Sequence, residues 1–115
     1  MEFGAFASRN HERCVSKDGF NHKLDAWSMS DWLIAIIGEL GEAANIVKKL
    51  NRDRDGIPGN VKTRDELMQD LYDEVADTFI YLDLFAQSLG TTLEQIVKPK
   101  WNKSSRKIGY FDIIE

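Results

Sequence analysis

Two pairs of acidic residues are the part of this sequence best suited to chemistry. Glu39 and Glu42 form one pair, and Glu74 and Asp77 form the other. Both pairs lie in segments of helical periodicity, and residues three positions apart share a helix face. Mg²⁺ prefers carboxylate oxygens and fills its remaining positions with water and substrate phosphate oxygens. The four acids therefore predict a site for a divalent cation such as Mg²⁺.

The position of these acids on their helices distinguishes a binding site from an ordinary solvated face. On a helical wheel Glu39 falls inside the apolar arc, between Trp32 and Ile46, and Glu74 falls inside the apolar arc of its own helix. Ionised carboxylates in apolar surroundings need partners. The helix that carries Glu39 offers no arginine before its predicted end at Leu50, so a divalent cation is a better partner than an ion pair. Without metal the acids repel one another, and we expect them to be harder to ionise.

Long segments of helical period with few breakers predict the elements that position these acids. The segments are about 2–16, Ser28 or Ser30 to about Leu50, Thr63 to about Leu89, and Thr91 to Gly109. Thr63 with Glu66 and Thr91 with Glu94 are typical of capping boxes. Residues 51–60 are typical of a loop, and Pro99 predicts a kink or break. We expect one all-α domain over residues 1–115, a four- to five-helix bundle with two long antiparallel helices.

Composition excludes several classes of protein. The 115 residues are 43% hydrophobic and 30% charged, which suits a globular domain. The excess of 19 Asp and Glu over 15 Lys and Arg disfavours a nucleic-acid binder. The most apolar run, 32–37, is far shorter than the ~20 residues of a membrane span, and the first residues do not read as a signal peptide. The single Cys14 suits a reducing compartment, so we expect a cytoplasmic protein. From the charge balance and the lack of a long apolar run we expect no nucleic-acid or membrane partner.

Two further expectations follow from the helical pattern. Asn45 and Lys49 extend the stripe of Glu42 along one helix face. Apolar residues surround much of both long helices. The apolar surface that they form is larger than a single chain of this size can bury. This pattern predicts a homodimer or homotetramer formed through helix packing.

The motifs as a set point to one family. The sequence reads GELGEAAN at 38–45, KK at 48–49, DEVAD at 73–77 and KPKWNKSSR at 98–106. Over about residues 28–110 it resembles the MazG-like all-α nucleoside triphosphate pyrophosphohydrolases in their small single-domain form. The resemblance implies Mg²⁺-dependent hydrolysis of (deoxy)nucleoside triphosphates between the α and β phosphates, giving monophosphate and pyrophosphate, for nucleotide-pool sanitation.

The same resemblance implies roles for individual residues. Mg²⁺ would bind Glu39, Glu42, Glu74 and Asp77, and either Glu39 or Glu42 would act as general base. Asn102 would lie near the nucleotide, and Lys49 and either Lys98 or Lys100 would lie near the phosphates. Pro99 departs from many relatives and leaves open which of Lys98 and Lys100 faces the site. Tyr81 would contact the sugar or base. The base pocket would involve the first helix and the following loop, with five candidates: Asn10, Arg13, Phe20, His22 and Trp27.

Two other classes of function stay open at this point. One is a catalytically silent helical oligomer that binds nucleotides as a regulatory module, and the other is a purely structural helical module that needs no Mg²⁺. In the structural case the acidic patterns are chance features of two amphipathic helices. The presence of all four acids favours the enzyme.

Overall fold

The computed structural model describes residues 2–115, and every regular element in that range is helical. The four α-helices are α1 (Phe3–Val15), α2 (Met29–Arg54), α3 (Arg64–Ser88) and α4 (Leu93–Lys107), with a short 3₁₀ turn at Leu24–Ala26. The predicted all-α class with two long helices is therefore confirmed. None of the helices in the described range combines the length and the apolar character that crossing a bilayer requires.

Helix α2 begins where its capping residue predicts. The Ser28 hydroxyl accepts a hydrogen bond from the Asp31 backbone N–H at 3.2 Å, and Asp31 accepts one from the Ser28 backbone N–H at 2.9 Å. The predicted end at Leu50 is wrong, because the helix continues to Arg54. Residues 51–54 are polar but include neither glycine nor proline, and the chain leaves the helix only before Gly56, which has a φ of +70°.

Helix α3 also follows its predicted signals. The Thr63 hydroxyl accepts from the Glu66 backbone N–H at 3.2 Å, and the Glu66 carboxylate accepts from the Thr63 backbone N–H at 3.2 Å, so the predicted capping box is confirmed. Gly90, with a φ of +83°, lies just after the helix end at Ser88. An unbroken α3 holds Glu74 and Asp77 on one face.

Helix α4 differs from its prediction at two positions. Its N-cap is Thr92, whose hydroxyl accepts from the Gln95 backbone N–H at 3.2 Å, so the capping box assigned to Thr91 and Glu94 is wrong. The helix does not break at Pro99 and continues to Lys107. Pro99 and Gln95 are exposed, so water can bind the Gln95 carbonyl that loses its partner to proline.

The chain forms two compact units. The described residues up to Ala26 form one unit together with Asp83–Glu115, and Trp27–Leu82 form the other. In the Trp27–Leu82 unit, Ile46 and Leu50 of α2 pack with Leu67 of α3. Since Ile46 and Leu50 precede the connecting loop and Leu67 follows it, the two helices run antiparallel, as predicted.

The other unit contains a buried polar cluster around Asp83, which is 1% exposed. The Asn10 side-chain amide donates to Asp83 Oδ2 at 2.9 Å. Gln87 donates to the same oxygen at 3.0 Å and also to the Ala7 carbonyl at 3.0 Å. These bonds fix α1 against the last turns of α3. That residues 1–115 act as a single domain stays a prediction.

Candidate metal centre

Three of the four predicted acids converge within the Trp27–Leu82 unit. Glu39 from α2 and Glu74 and Asp77 from α3 each present one carboxylate oxygen, and these three oxygens lie within 4.8 Å of one another. Mg²⁺–O bonds of about 2.0–2.1 Å place two oxygens of one ion at most about 4.2 Å apart. A small side-chain adjustment therefore brings all three oxygens onto a single cation.

Two oxygens of this cluster lack a hydrogen-bond partner. Glu39 Oε2 and Glu74 Oε2 are both buried, and neither accepts a hydrogen bond from any of residues 2–115. A buried carboxylate oxygen without a donor is costly, because it has lost water and gained nothing in return. A cation between the carboxylates would compensate both oxygens. The residues present therefore fit a hard divalent cation.

The pKa of Glu74 shows how the acids act on one another. It is raised from 4.5 to about 8, chiefly because protonated Glu74 can donate a hydrogen bond to Glu39. Burial of the Glu74 carboxyl adds to the increase, and so do the charges and hydrogen-bonding oxygens of Glu42 and Glu39. In the metal-free protein at neutral pH, a proton on Glu74 therefore takes the position that a cation would fill.

We expect this proton to make the stability of the metal-free protein depend on pH. Between pH 4.5 and 8 the folded chain keeps the Glu74 proton while the unfolded chain releases it. The folded state then binds more protons, so the free energy of unfolding falls as pH rises through that range. Urea unfolding in EDTA at several pH values should show the fall, and added Mg²⁺ should reduce it.

Glu74→Gln is the matched control for this pH dependence. The variant has no proton to keep, so its unfolding free energy should lack this component of the slope. An identical pH profile for the wild type and Glu74→Gln would contradict the raised pKa.

Glu42 takes a different position from the other three acids. It is exposed and stands outside the group of three converging oxygens, although its carboxylate is close enough to raise the pKa of Glu74. Glu39 and Glu74 are half-buried. Glu42 therefore lies at the solvent margin of the centre.

An aromatic cluster of Trp27, Trp32 and Tyr81 lies in the same unit as the acids. The rings of Trp27 and Tyr81 stack with centroids 6.3 Å apart and an interplanar angle of 18°. Trp32, which is 1% exposed, packs edge-on against Trp27 with centroids 4.8 Å apart. Trp32 precedes Glu39 by about two helical turns, or roughly 10 Å along the axis. Tyr81 lies one turn beyond Asp77 on α3, and Trp27, which precedes α2, stacks on its ring. Both residues were predicted for nucleotide contact.

Trp32 was not among the residues predicted for the site. In the structure Trp32 is buried and packs against the rings of Trp27 and Tyr81, which were predicted for the site. The sequence contained a signal that could have identified Trp32, because the helical wheel places it beside Glu39 in the apolar arc of α2.

The remaining predicted residues divide between the two units. Lys49 is exposed on α2, whereas four belong to the unit that contains α1 and α4: Asn10, Lys98, Lys100 and Asn102. Asn10 donates to Asp83, and buried Asn102 donates to the Ile114 carbonyl at 2.8 Å and accepts from the Ile114 N–H at 2.9 Å. Within their unit these two amides therefore hold α1 and the tail in place.

The two lysines of α4 differ in exposure. Lys98 is half-buried and Lys100 is exposed. Of the other base-pocket candidates, the Arg13 guanidinium lies 5.4 Å from the centroid of the Phe20 ring, as in a cation–π pair. Their contact with a nucleotide stays a prediction.

The chain is similar to the Gene 37 protein of Mycobacterium phage L5. The two are 36% identical over 75 residues, which is 64% of this chain and 61% of that protein. This chain thus matches about three fifths of the length of its phage relative. No family model matches the sequence, and no solved structure matches the chain. The functional assignment therefore depends on the chemistry of the site.

Proposed function

We propose that this protein is a Mg²⁺-dependent nucleoside triphosphate pyrophosphohydrolase of the MazG-like type. The single observation that carries the proposal is the convergence of Glu39, Glu74 and Asp77, whose cluster contains two buried oxygens without donors. Such a set is stabilised either by a shared proton or by a cation, and a cation held by carboxylates on one side is suited to phosphate oxygens on the other. The resemblance of the 38–45 and 73–77 motifs to that family supplies the reaction.

Glu39, Glu74 and Asp77 would hold the metal, with Glu42 at its edge. When bound, Mg²⁺ neutralises triphosphate charge and lowers the pKa of a bound water. Of the two glutamates on α2, Glu42 is better placed as general base, because it is exposed and stands outside the three-oxygen group. It would accept the proton of a water that attacks the α-phosphorus, and the bond from that phosphorus to the bridging oxygen would break, releasing pyrophosphate.

The aromatic cluster supports a nucleotide as the substrate. Tyr81 follows Asp77 by four residues and so shares its face of α3. Its ring stacks with Trp27, and both rings are half-buried, which leaves part of their surface for a sugar or base. Stacking on aromatic faces tolerates different bases.

The proposal includes association into a homodimer or homotetramer in the cytoplasm. Large apolar side chains remain exposed on α2 and α3, among them Ile34, Ile37, Tyr72 and Val75, which are 58–67% exposed. A second copy of the chain would cover them. Cys14 is buried, and its thiol donates to the His22 carbonyl at 3.2 Å, which suits a protein that keeps its cysteine reduced.

The proposal is tested by measuring pyrophosphate release from a panel of ribo- and deoxyribonucleoside triphosphates, with Mg²⁺ and with EDTA. We expect release only with Mg²⁺, and stoichiometric formation of the monophosphate. Formation of diphosphate and inorganic phosphate instead would contradict cleavage between the α and β phosphates. Nucleotide binding without hydrolysis would favour the catalytically silent module, and neither binding nor release would leave only a structural role.

A further inference from the structure

A cavity of about 390 Å³ lies between the C-terminal end of α2 and the loop that leads to α3. It is confined to the Trp27–Leu82 unit and contains none of the four metal-centre acids. Four of the side chains that line it are cationic, namely Lys48, Lys49, Arg52 and Lys62, and none is acidic. The cavity is therefore suited to an anion.

Most of this positive charge has no ion-pair partner in the part of the chain that the structure describes. Lys62 forms an ion pair with Asp70 at 2.5 Å. The structure of residues 2–115 records no ion pair for Lys48, Lys49 or Arg52. Three cations that line one cavity with no acidic side chain in its lining repel one another, so a bound anion would be stabilised there.

Arg52 is held in place but keeps an unused donor. Its Nη2 donates to the Pro58 carbonyl at 3.0 Å. Its Nε is buried and has no acceptor among the described residues. A guanidinium presents its N–H groups in a rigid fork that matches phosphate oxygens. The bond to Pro58 therefore holds the guanidinium at the cavity lining, and its hydrogen-bonding capacity is not exhausted by the described residues.

The loop is built around this arginine. Gly59 has a φ of +121°, and a Cβ at that position would lie 2.9 Å from Arg52 Nη2. The Asn60 side-chain amide donates to the Lys49 carbonyl at 2.7 Å, which ties the loop back to α2. Glycine is therefore needed for the backbone conformation, and any larger residue at this position would also require the guanidinium to move.

We propose that this cavity is a metal-independent site for a diphosphate group. Its lining offers a guanidinium and several lysine amines, which can together donate charged hydrogen bonds to the many oxygens of a diphosphate. Asn45 and Lys49 line the cavity and follow Glu42 by one and two turns of α2, so the cavity starts roughly 5 Å along the helix axis from Glu42. The group bound is either free pyrophosphate or the β- and γ-phosphates of a nucleotide, and the nucleotide case rests on the proposed function.

Calorimetric titration of the full chain with inorganic pyrophosphate in EDTA tests the site directly. We expect Arg52→Gln to weaken binding about tenfold or more, and Lys49→Gln to weaken it several-fold, as for loss of a charged hydrogen bond. The Lys49 side chain holds no part of the loop, so Lys49→Gln remains informative if Arg52→Gln fails to fold. Lys107→Gln, on exposed α4, is the matched control and should bind like the wild type.

The same titration separates this site from the metal centre. Glu39→Gln should bind pyrophosphate in EDTA as the wild type does. A wild type that binds pyrophosphate but hydrolyses no nucleotide would support the anion site while refuting the proposed function. No binding by the wild type, or equal affinity in the wild type, Arg52→Gln and Lys49→Gln, would overturn the anion site.

Kinetics distinguish the two sources of the diphosphate group. If the terminal phosphates of the nucleotide bind here, Arg52→Gln should raise KM about tenfold. If only free pyrophosphate binds here, KM should be unchanged and inhibition by added pyrophosphate should be lost. Either result supports the site, whereas unchanged KM with unchanged inhibition would refute it.

Discussion

Replacing Glu39 by glutamine should abolish Mg²⁺-dependent pyrophosphate release, with a loss on the order of 10³-fold in kcat. The substitution removes one of three converging carboxylates and introduces an amide donor beside Glu74. A neutral amide is a poor ligand for Mg²⁺, and its N–H₂ can donate to the Glu74 carboxylate that otherwise has no donor. The variant should therefore lose the metal while keeping the fold. Pyrophosphate release at saturating substrate measures the effect.

Stability provides the second readout for Glu39→Gln. Without metal its free energy of unfolding should equal or exceed that of the wild type, because a like charge has been removed from the cluster. Glu12→Gln, an exposed substitution on α1, is the matched control and should retain full activity. Activity retained by Glu39→Gln would remove Glu39 from the site, and loss of both activity and helical content would show a structural role.

Replacing Trp32 by alanine should lower the free energy of unfolding by about 3–5 kcal/mol. Trp32 is 1% exposed and contacts the rings of both Trp27 and Tyr81. Its removal leaves a large cavity at one end of the α2–α3 pair, which these surrounding rings fill only in part. The loss is a large share of the roughly 5–15 kcal/mol that stabilises a typical domain. Urea unfolding measures the effect.

Trp101→Ala is the matched control for Trp32→Ala. Trp101 is 50% exposed on α4, so its removal should cost about 1 kcal/mol or less. Equal costs for the two variants would show that the aromatic cluster is not part of the core. A Trp32→Ala variant that remains folded should also bind nucleotide more weakly, because Trp27 and Tyr81 lose their common support.

The parts of the fold that depend on local chemistry could be predicted from the sequence. Ser28 and Thr63 begin α2 and α3 because each can bond a backbone N–H three residues on. The end of α2 could not be predicted from composition, since the polar residues 51–54 tolerate a helix as well as a loop. Thr91 and Thr92 are both competent N-caps, and only the path of the preceding turn decides between them.

Some residues of the candidate site could likewise be predicted from the sequence, and others could not. Glu39, Glu74 and Asp77 could be predicted because helix geometry alone puts them on facing stripes of an antiparallel pair. The anion-binding role proposed for Arg52 could not be predicted from the sequence. It depends on a loop conformation in which Gly59 has a positive φ and the Pro58 carbonyl accepts a hydrogen bond from Arg52. The hydrogen bonds between Asn102 and the Ile114 backbone could not be predicted either, because a short tail without regular structure has no sequence periodicity that indicates its contacts.

The unbroken helix α2 has a consequence for how such a protein could diverge. It carries an aromatic, an acidic and a cationic group in that order, at Trp32, Glu39 and Lys49. Because an α-helix has a constant rise per residue, the distances between these groups along the axis are fixed. If the proposed function holds, exchanging side chains at the aromatic end would alter base preference without moving the phosphate-binding groups. Inserting a single residue between Glu42 and Lys49 would instead turn the cationic end by about 100° and break the alignment. Substitutions, not insertions, are thus the tolerated route to new specificity along this helix.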